Sequence, residues 1–169
     1  MRRLLLIPLA ALVLEGCNSV GCTDNQNSIP LAGFYSMATF DALMLDSLAI
    51  GGVGAPGDSL LMSPSQRNTQ VYLPLRSSKD RTEFYISYKQ KALDDPALND
   101  TLRFVYESIP YFASEDCGAM FHYRISRLTY TRHVIDSVGL LDSTITNIER
   151  ETVRIYFRTS ETDTDDSQQ

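Results

Sequence analysis

Apolar residues recur at every second position through most of this chain. The clearest stretch has Val71, Leu73 and Leu75 alternating with polar or restricted residues, followed after a polar turn by Phe84, Ile86 and Tyr88. A period of two sends successive side chains to opposite faces of a β-strand, whereas an amphipathic helix needs a period near 3.6. Because no segment shows a persuasive helical period, the pattern predicts an all-β chain.

About eight strands follow from this alternation and from the polar turns between them. Residues 71–76 and 84–88 are predicted to pair as a β-hairpin, with Pro74 placing the first strand at a sheet edge or a bulge. The apolar positions change parity near Ser126 and Arg127, which predicts a bulge or bend there. Many short strands joined by polar turns favour an antiparallel β-sandwich, immunoglobulin-like in architecture. The other predicted strands are 31–37, 45–53, 102–110, 117–130, 134–141, 144–148 and 153–158.

A glycine-rich stretch contains a literal Gly-x-Gly-x-x-Gly at Gly52, Gly54 and Gly57. In a dinucleotide-binding fold this motif opens a helix, and Pro56 and Pro64 leave little room for one. We therefore interpret the stretch as a wide loop or β-bulge with positive φ angles.

The N-terminus has the form of an export signal. Arg2 and Arg3 precede an apolar run over residues 4–14, and Gly16 supplies a small residue before a cleavage point. The run is about half of the roughly 20 residues that a membrane-spanning helix needs. Residues 14–17, Leu-Glu-Gly-Cys, resemble the lipobox of bacterial lipoproteins, in which the cysteine is acylated and becomes the mature N-terminus. The competing Cys22 has Ser19 where that motif prefers Leu. Cys17 is thus the predicted lipidation site.

The count of cysteines agrees with that choice. With lipid on Cys17, two thiols remain, Cys22 and Cys117, an even number for an oxidising compartment. We expect them to form a disulfide, and two buried free thiols are the alternative. The predicted organisation is a signal peptide over 1–16, a lipidated tether over 17–28, a β-sandwich over 29–158 and a disordered acidic tail over 159–169.

Charge and composition exclude several functions. The formal net charge is −6 and no basic patch is visible, so a nucleic-acid partner is not expected. Two histidines, His122 and His133, stand without ligand-spaced cysteines or carboxylates, and no Gly-x-Ser-x-Gly turn accompanies them. We therefore expect no catalytic residues, no metal and no cofactor, and we interpret His122 as part of a solvated strand face and His133 as part of a turn.

Two sets of residues suggest binding or modification. Tyr72, Tyr85 and Tyr156 are candidates for an exposed aromatic platform for sugar or peptide, although half-buried sheet tyrosines are common. Five Asp-(Ser/Thr)-x tripeptides resemble the acceptor motif of periplasmic O-glycosylation in Bacteroides-type bacteria. The alternative is structural, because Asp-Ser favours turns that lead into strands. The candidate hydroxyls belong to Ser47, Ser59, Thr101, Ser137 and Ser143.

A further sequence pattern extends over most of the mature chain. Residues 22–35, Cys-Thr-Asp-Asn-Gln-Asn-Ser-Ile-Pro-Leu-Ala-Gly-Phe-Tyr, are followed by Pro-Gly-Asp-Ser-Leu-Leu at 56–61 and by Cys117-Gly118. This pattern, with the leader, resembles an uncharacterised family of Bacteroidetes lipoproteins, a domain of unknown function. The resemblance implies a Gram-negative envelope address and no activity. Since residues 18–21 contain no acidic residue, a periplasm-facing outer-membrane lipoprotein is favoured over a surface-exposed one.

These observations favour a non-enzymatic, lipid-anchored envelope protein that serves as a structural or protein-interaction module. The first alternative is a carbohydrate- or peptide-binding module that uses exposed tyrosines. The second is a hydrolase with an unrecognised site. The expected partners are the membrane, through the lipid, and an envelope protein or glycan, and the sequence does not determine the oligomeric state.

Overall fold

The computed structural model describes residues 22, 25 and 27–159, with the backbone alone for Asp58. The predicted signal peptide, the lipidation site Cys17 and the predicted tail from residue 160 onward lie outside the described residues. The described part is built from strands and two short 3₁₀ turns, Pro56–Asp58 and Pro96–Leu98. In chain order, the strands are β1 (Leu31–Ser36), β2 (Leu48–Gly52), β3 (Leu60–Met62), β4 (Gln70–Tyr72), β5 (Arg81–Tyr88), β6 (Asp100–Ser114), β7 (Gly118–Tyr130), β8 (Ile135–Leu140), β9 (Thr144–Ile145) and β10 (Glu151–Phe157).

These strands form two sheets around one apolar core. The four-stranded sheet has the order β4-β1-β10-β8, and the six-stranded sheet has the order β3-β2-β5-β6-β7-β9. Strand β1 pairs with β10 in parallel, and the other strand pairs are antiparallel. The predicted all-β sandwich is confirmed, with ten strands in the described part of the chain instead of about eight.

The core is supplied by the alternate residues that the sequence pattern marked as apolar. Phe34 and Phe157 of the four-stranded sheet meet edge to face with ring centroids 5.7 Å apart. Phe84 and Phe104 of the six-stranded sheet make the same kind of contact at 6.0 Å. Edge-to-face packing brings the positive rim of one ring to the negative face of the other, which adds to the stabilisation from burying the rings.

The predicted hairpin between residues 71–76 and 84–88 is wrong. Val71 and Leu73 are buried as the alternation requires, but β4 pairs with β1, and β5 pairs with β2 and β6. Alternation shows which face of a strand is buried and carries no information about its partner. The segment after Tyr72 crosses from one sheet to the other before β5 begins. Strand β4 does lie at a sheet edge, as Pro74 predicted.

Two local predictions on the six-stranded sheet are confirmed. Val105 pairs with Arg127 and Tyr106 with Ile125, so Ser126 is the extra residue of a β-bulge at the predicted change of parity. Its hydroxyl donates a hydrogen bond to the Val105 carbonyl at 3.1 Å. The glycine-rich stretch is a loop in which Gly54 and Gly57 have φ angles of 67° and 64°.

Strands β6 and β7 form a long hairpin that leaves the sheet. Strand β6 was predicted to stop at Pro110, yet it runs to Ser114. Beyond Tyr106 it has no further pairing with β5, and β9 meets β7 only at Tyr123 and Arg124. We call residues 107–122 the hairpin extension. Pro110 is accommodated there because the outer edge of β6 needs no backbone donor at that position.

A disulfide joins Cys22 to Cys117 at the turn of this hairpin, with the two Cα atoms 4.7 Å apart. The bridge is the one predicted from the cysteine count. Cys117 donates its backbone N–H to the Ser114 hydroxyl at 3.0 Å, and Gly118 turns the chain with a φ angle of 72°. The first described residue is therefore held at the far end of the hairpin extension.

The side chain of Asp100 is fully buried where β6 begins. Its carboxylate accepts hydrogen bonds from the Tyr88 hydroxyl at 2.8 Å and the Thr131 hydroxyl at 2.7 Å. It also accepts three backbone N–H groups, from His133 at 2.8 Å and from Val134 and Ile135 at 2.9 Å each. Because residues 131–134 lead from β7 in one sheet to β8 in the other, this single carboxylate fixes the crossover between the sheets.

Burial by itself raises the pKa of the Asp100 carboxyl. The backbone hydrogen bonds from His133, Ile135 and Val134 and the hydroxyl hydrogen bond from Thr131 outweigh burial and leave its pKa below the ordinary value. Burial, together with the neighbouring Asp100 charge, raises the pKa of the Tyr88 phenol far above its ordinary value, so the phenol remains a donor. The crossover is therefore a buried anion surrounded by donors.

We predict that Asp100→Asn lowers the free energy of unfolding by about 3 kcal/mol at neutral pH, because an amide N–H₂ then faces donors that have no acceptor. Asp94→Asn is the matched control. It breaks only the exposed pair with Lys89 and should cost under about 1 kcal/mol. Urea unfolding of the three proteins measures both values.

The pH dependence of that difference gives a second check. Because the folded pKa of Asp100 is depressed, its stabilisation is complete above the unfolded pKa of about 4 and is lost as the pH falls through the folded pKa. The difference between wild type and Asp100→Asn should shrink in acid. A difference that stays constant from neutral pH to well below pH ~4 would contradict this assignment.

Candidate binding face

The outer surface of the four-stranded sheet carries aromatic and charged side chains at its centre. Strand alternation buries Phe34 and Ile155 and turns Tyr35, Arg154 and Tyr156 outward. In the register of the sheet, Arg154 lies between Gly33 and Gly139, and Tyr156 lies between Tyr35 and Ser137. The parallel pairing of β1 with β10 brings the two tyrosines side by side.

Phe40 adds a third ring to this surface. The Tyr35 and Tyr156 rings are 5.6 Å apart, and Phe40 contacts Tyr156 edge to face at 5.9 Å. We call Tyr35, Phe40, Arg154 and Tyr156 the tyrosine face. Phe40 is 61% exposed although its ring is large and apolar. Its backbone has a φ angle of 63°, a left-handed conformation that costs a bulky residue on the order of 1 kcal/mol.

The turn after β1 holds that conformation in place. Phe40 donates its N–H to the Ser36 carbonyl at 2.9 Å, and the Ser36 hydroxyl accepts from Ala38 at 3.2 Å. The backbone N–H of Ser36 donates to the Asp41 carbonyl at 3.0 Å. The strained backbone therefore projects an exposed ring onto the tyrosine face, a feature typical of functional surfaces.

Glu151 organises the charged part of the tyrosine face. Its carboxylate accepts the Tyr35 hydroxyl at 2.7 Å and the Arg154 Nε–H at 2.6 Å. The Arg154 guanidinium lies 4.9 Å from the centre of the Tyr35 ring, within the range of a cation–π contact. The hydrogen bond to Glu151 raises the pKa of the Tyr35 phenol, and burial adds to the shift. The hydrogen bond to Glu151 also raises the pKa of Arg154, which stays a cation.

The two glycines beside Arg154 play different parts. A Cβ atom at Gly33 would overlap the Glu151 carboxylate and approach the Tyr35 ring to 2.8 Å, so Gly33 makes room for the organising contact. A Cβ atom at Gly139 would meet nothing within 4 Å. The surface is therefore open on the Gly139 side of Arg154. A partner group can reach the guanidinium and the Tyr156 ring from there.

The predicted platform of Tyr72, Tyr85 and Tyr156 is not formed as one surface. Tyr72 and Tyr156 both lie on the four-stranded sheet, and Tyr72 donates a hydrogen bond to Glu149. Tyr85 belongs to β5 in the other sheet and covers Gly51. The sequence did not predict the actual neighbours of Tyr156, because Tyr35 lies beside it only through the parallel pairing of β1 with β10. Phe40 carries no sequence signal of exposure.

The two histidines make structural contacts. His122, predicted to belong to a solvated strand face, is half-buried, and its ring stacks on Tyr111 with centroids 4.1 Å apart. His133 lies in the turn between β7 and β8, as predicted, and its Nδ1 is 2.8 Å from the Asn99 carbonyl. The described residues contain no group of three His, Cys, Asp or Glu side chains that could hold a metal ion.

The five candidate glycosylation hydroxyls are spread over the molecule. Ser59 and Ser143 are exposed, whereas Ser47, Thr101 and Ser137 are half-buried. Ser47, Ser59 and Ser143 directly precede β2, β3 and β9, and Thr101 is the second residue of β6. This placement favours the structural interpretation of the repeated tripeptide. Ser137 is the exception, because it lies within β8 and its hydroxyl is 3.8 Å from the Met37 sulfur.

Comparisons with known proteins give one match. The model of a family of unknown function matches residues 47–157, well over half of the chain. The matched part runs from just before β2 to the end of β10. Neither a curated protein nor a solved structure matches the chain.

Proposed function

Because this chain belongs to a family of unknown function (DUF6452), its role has to be argued from its own residues, and we propose that it is a lipid-anchored cell-envelope protein that binds a partner protein through the tyrosine face. The role is non-enzymatic. The observation that carries the proposal is the cluster of Tyr35, Phe40, Arg154 and Tyr156 on an outer sheet surface with an open approach at Gly139.

The composition of the tyrosine face is that of a protein-binding hot spot. Tyrosine and arginine are enriched among the few residues that contribute most to binding free energy. Here the rings support one another and Glu151 fixes the guanidinium, so little side-chain entropy remains to be lost when a partner binds. The strain at Phe40 has a use under this proposal, because it presents an exposed apolar ring to the partner.

The engaged state of the chemically versatile residues supports a non-catalytic role. Asp100 is saturated by donors at the sheet crossover, and His133 is bound to the same junction. The tyrosine face contains an acceptor, a fixed cation and rings, and these groups bind and orient rather than transfer protons.

A glycan is the second candidate partner. Exposed aromatic rings beside a charged hydrogen-bonding pair are also suited to a sugar ring, and the open surface at Gly139 would admit one next to Tyr156. Both candidates use the same surface, so the same variants test them.

The envelope address is supported by the leader and by the disulfide. The leader over residues 1–16 and the lipobox-like Cys17 favour export and acylation. The Cys22–Cys117 disulfide fits an oxidising compartment. Within the described residues, no helix is long and apolar enough to cross a membrane. We propose an outer-membrane lipoprotein of a Gram-negative bacterium that faces the periplasm.

We predict that Gly139→Leu weakens partner binding at least about tenfold, because the new side chain fills the approach to Arg154 and Tyr156, and its Cβ atom meets nothing within 4 Å. Arg154→Ala should weaken binding by a similar factor. Thr129→Leu places the same side chain on an exposed position of β7 in the other sheet and is the matched control.

The measurement is quantitative co-purification of envelope proteins and glycans from solubilised membranes of the native host. A partner that wild type and Thr129→Leu recover equally, and Gly139→Leu does not, supports the proposal and identifies its class. Equal recovery of every partner by Gly139→Leu would contradict it.

We predict that Cys17→Ser moves the protein from the membrane fraction to the soluble fraction of the native host, because the acylated thiol is then missing. Cys22→Ser is the matched control and should remain membrane-bound. The reverse result, in which only Cys22→Ser becomes soluble, would place the lipid on Cys22. Intact mass of the purified chains records the lipid and also any glycan, which we propose only for the exposed hydroxyls of Ser59 and Ser143.

A further inference from the structure

The hairpin extension projects from the six-stranded sheet as a two-stranded arm. Residues 107–114 and 118–122 pair with each other and not with a third named strand. Eight residues of extended strand span roughly 25 Å. The tip of the arm, the turn at residues 115–117, is therefore the part of the hairpin farthest from the pairing of β6 with β5.

Three large aromatic side chains near this tip are exposed. Phe112 is 64% exposed, Tyr111 42% and Phe121 40%. The cross-strand register places Phe112 opposite Ala119 and Pro110 opposite Phe121, so the two phenylalanines are diagonal neighbours on one face of the arm. Tyr111 lies on the other face against His122. The arm therefore exposes rings on both faces, whereas Met120, opposite Tyr111, is buried.

The disulfide brings the start of the chain to the same tip. Residues 27–29 line a cavity of about 340 Å³ between Cys117, Ala119 and Phe121 of the hairpin and Pro74 and Leu75 of the sandwich. Pro30 then accepts the Leu73 N–H at 2.9 Å, and β1 begins. Whatever precedes Cys22 is therefore attached at the tip of the arm and not at the sandwich.

Five residue steps separate Cys17 from Cys22. A fully extended chain covers at most about 3.6 Å per residue, so the Cα atoms of these cysteines are no more than about 18 Å apart. If Cys17 carries the lipid, the tip of the arm cannot leave the vicinity of the headgroups. This maximum distance between Cys17 and Cys22 is shorter than the arm.

We propose that the hairpin tip is a membrane-contacting element in which Tyr111, Phe112 and Phe121 insert into the interface of the bilayer that holds the lipid on Cys17. The inference rests on the proposed lipid anchor. Aromatic rings favour the boundary between headgroups and acyl chains, where an apolar body and a polar edge are both accommodated. Inserted rings add a second attachment beside the lipid and fix the orientation of the sandwich.

The charges near the tip specify the kind of bilayer. Glu115 and Asp116 are exposed in the turn, and farther along the arm Arg124 is paired with Glu107 at 3.1 Å. Because the unpaired charges there are negative, an anionic surface repels the tip. The chemistry therefore fits a zwitterionic surface such as phosphatidylcholine or phosphatidylethanolamine.

The natural absence of tryptophan allows a direct test. Phe112→Trp gives one fluorophore at the tip, and Phe40→Trp gives one on the tyrosine face as the matched control. The lipidated full chain of each variant is reconstituted in phosphatidylcholine vesicles, with and without bromine on the acyl chains as a contact quencher. We expect brominated lipid to remove about half or more of the Phe112→Trp emission and to leave the Phe40→Trp emission unchanged.

Unfolding midpoints equal to wild type show that both exposed positions accept tryptophan. The intact mass of the same samples shows whether the chain carries the lipid. It thereby separates the proposed lipid anchor from the proposed membrane contact of the tip. Lipidated protein in which neither tryptophan is quenched overturns the tip proposal and leaves the lipid anchor standing. Equal quenching of both overturns it as well, because the sandwich then lies flat on the bilayer. A chain without lipid that does not float with vesicles overturns both.

Removal of the disulfide gives one further variant for this experiment. In the Phe112→Trp background, Cys22→Ser with Cys117→Ser frees the anchor from the tip. We expect quenching to fall at least twofold, because the short tether then no longer holds the tip close to the bilayer. Unchanged quenching would show that the rings do not depend on the bridge and would overturn the proposed link between anchor and arm.

Discussion

The disulfide between Cys22 and Cys117 is the constraint on which the arrangement of this protein depends. It joins residues 95 positions apart and holds the first described residue at the tip of the hairpin extension. The chain can enter the sandwich only after running back along that arm to Pro30. Strand β1 is consequently delivered to the middle of the four-stranded sheet, between β4 and β10. A bridge that closes so long a loop is expected to stabilise the fold by about 4 kcal/mol through the unfolded chain.

A second buried interaction fixes the other end of the molecule. Asp100 concentrates five hydrogen bonds where the chain passes from β7 to β8, and thereby sets one sheet against the other. The apolar core could tolerate small shifts between sheets, since hydrophobic contact is not directional. The carboxylate cannot, because each of its bonds has a required direction. Neither the bridge nor the crossover involves the residues of the tyrosine face.

The sequence predicted the parts of this structure that depend on the alternation of apolar residues. It did not predict which strands pair with each other. The all-β class, the bulge at Ser126, the loop at Gly54 and Gly57 and the disulfide followed from parity, glycine content and the count of cysteines. The false hairpin between residues 71–76 and 84–88 arose because adjacent strands usually pair, and here they belong to different sheets.

The candidate site was harder to predict for the same reason. Tyr156 was identified from its exposed parity, but its neighbour Tyr35 lies more than 100 positions earlier and meets it only through a parallel pair. Phe40 reaches the tyrosine face through a backbone conformation that its side chain disfavours, and no sequence rule anticipates that. Asp100 was noticed only as part of a tripeptide, because burial of a carboxylate depends on donors contributed by residues 131–135.

The most direct test of the account is whether the bridge exists in the mature protein. Chain purified from the native membrane is unfolded in denaturant and treated with an alkylating reagent without reductant, and its intact mass is compared with that of a reduced and alkylated sample. We predict no alkyl group before reduction and two afterwards, on Cys22 and Cys117, with the lipid on Cys17 in both samples. Two alkyl groups before reduction would contradict it, because the start of the chain would then be free of the hairpin tip.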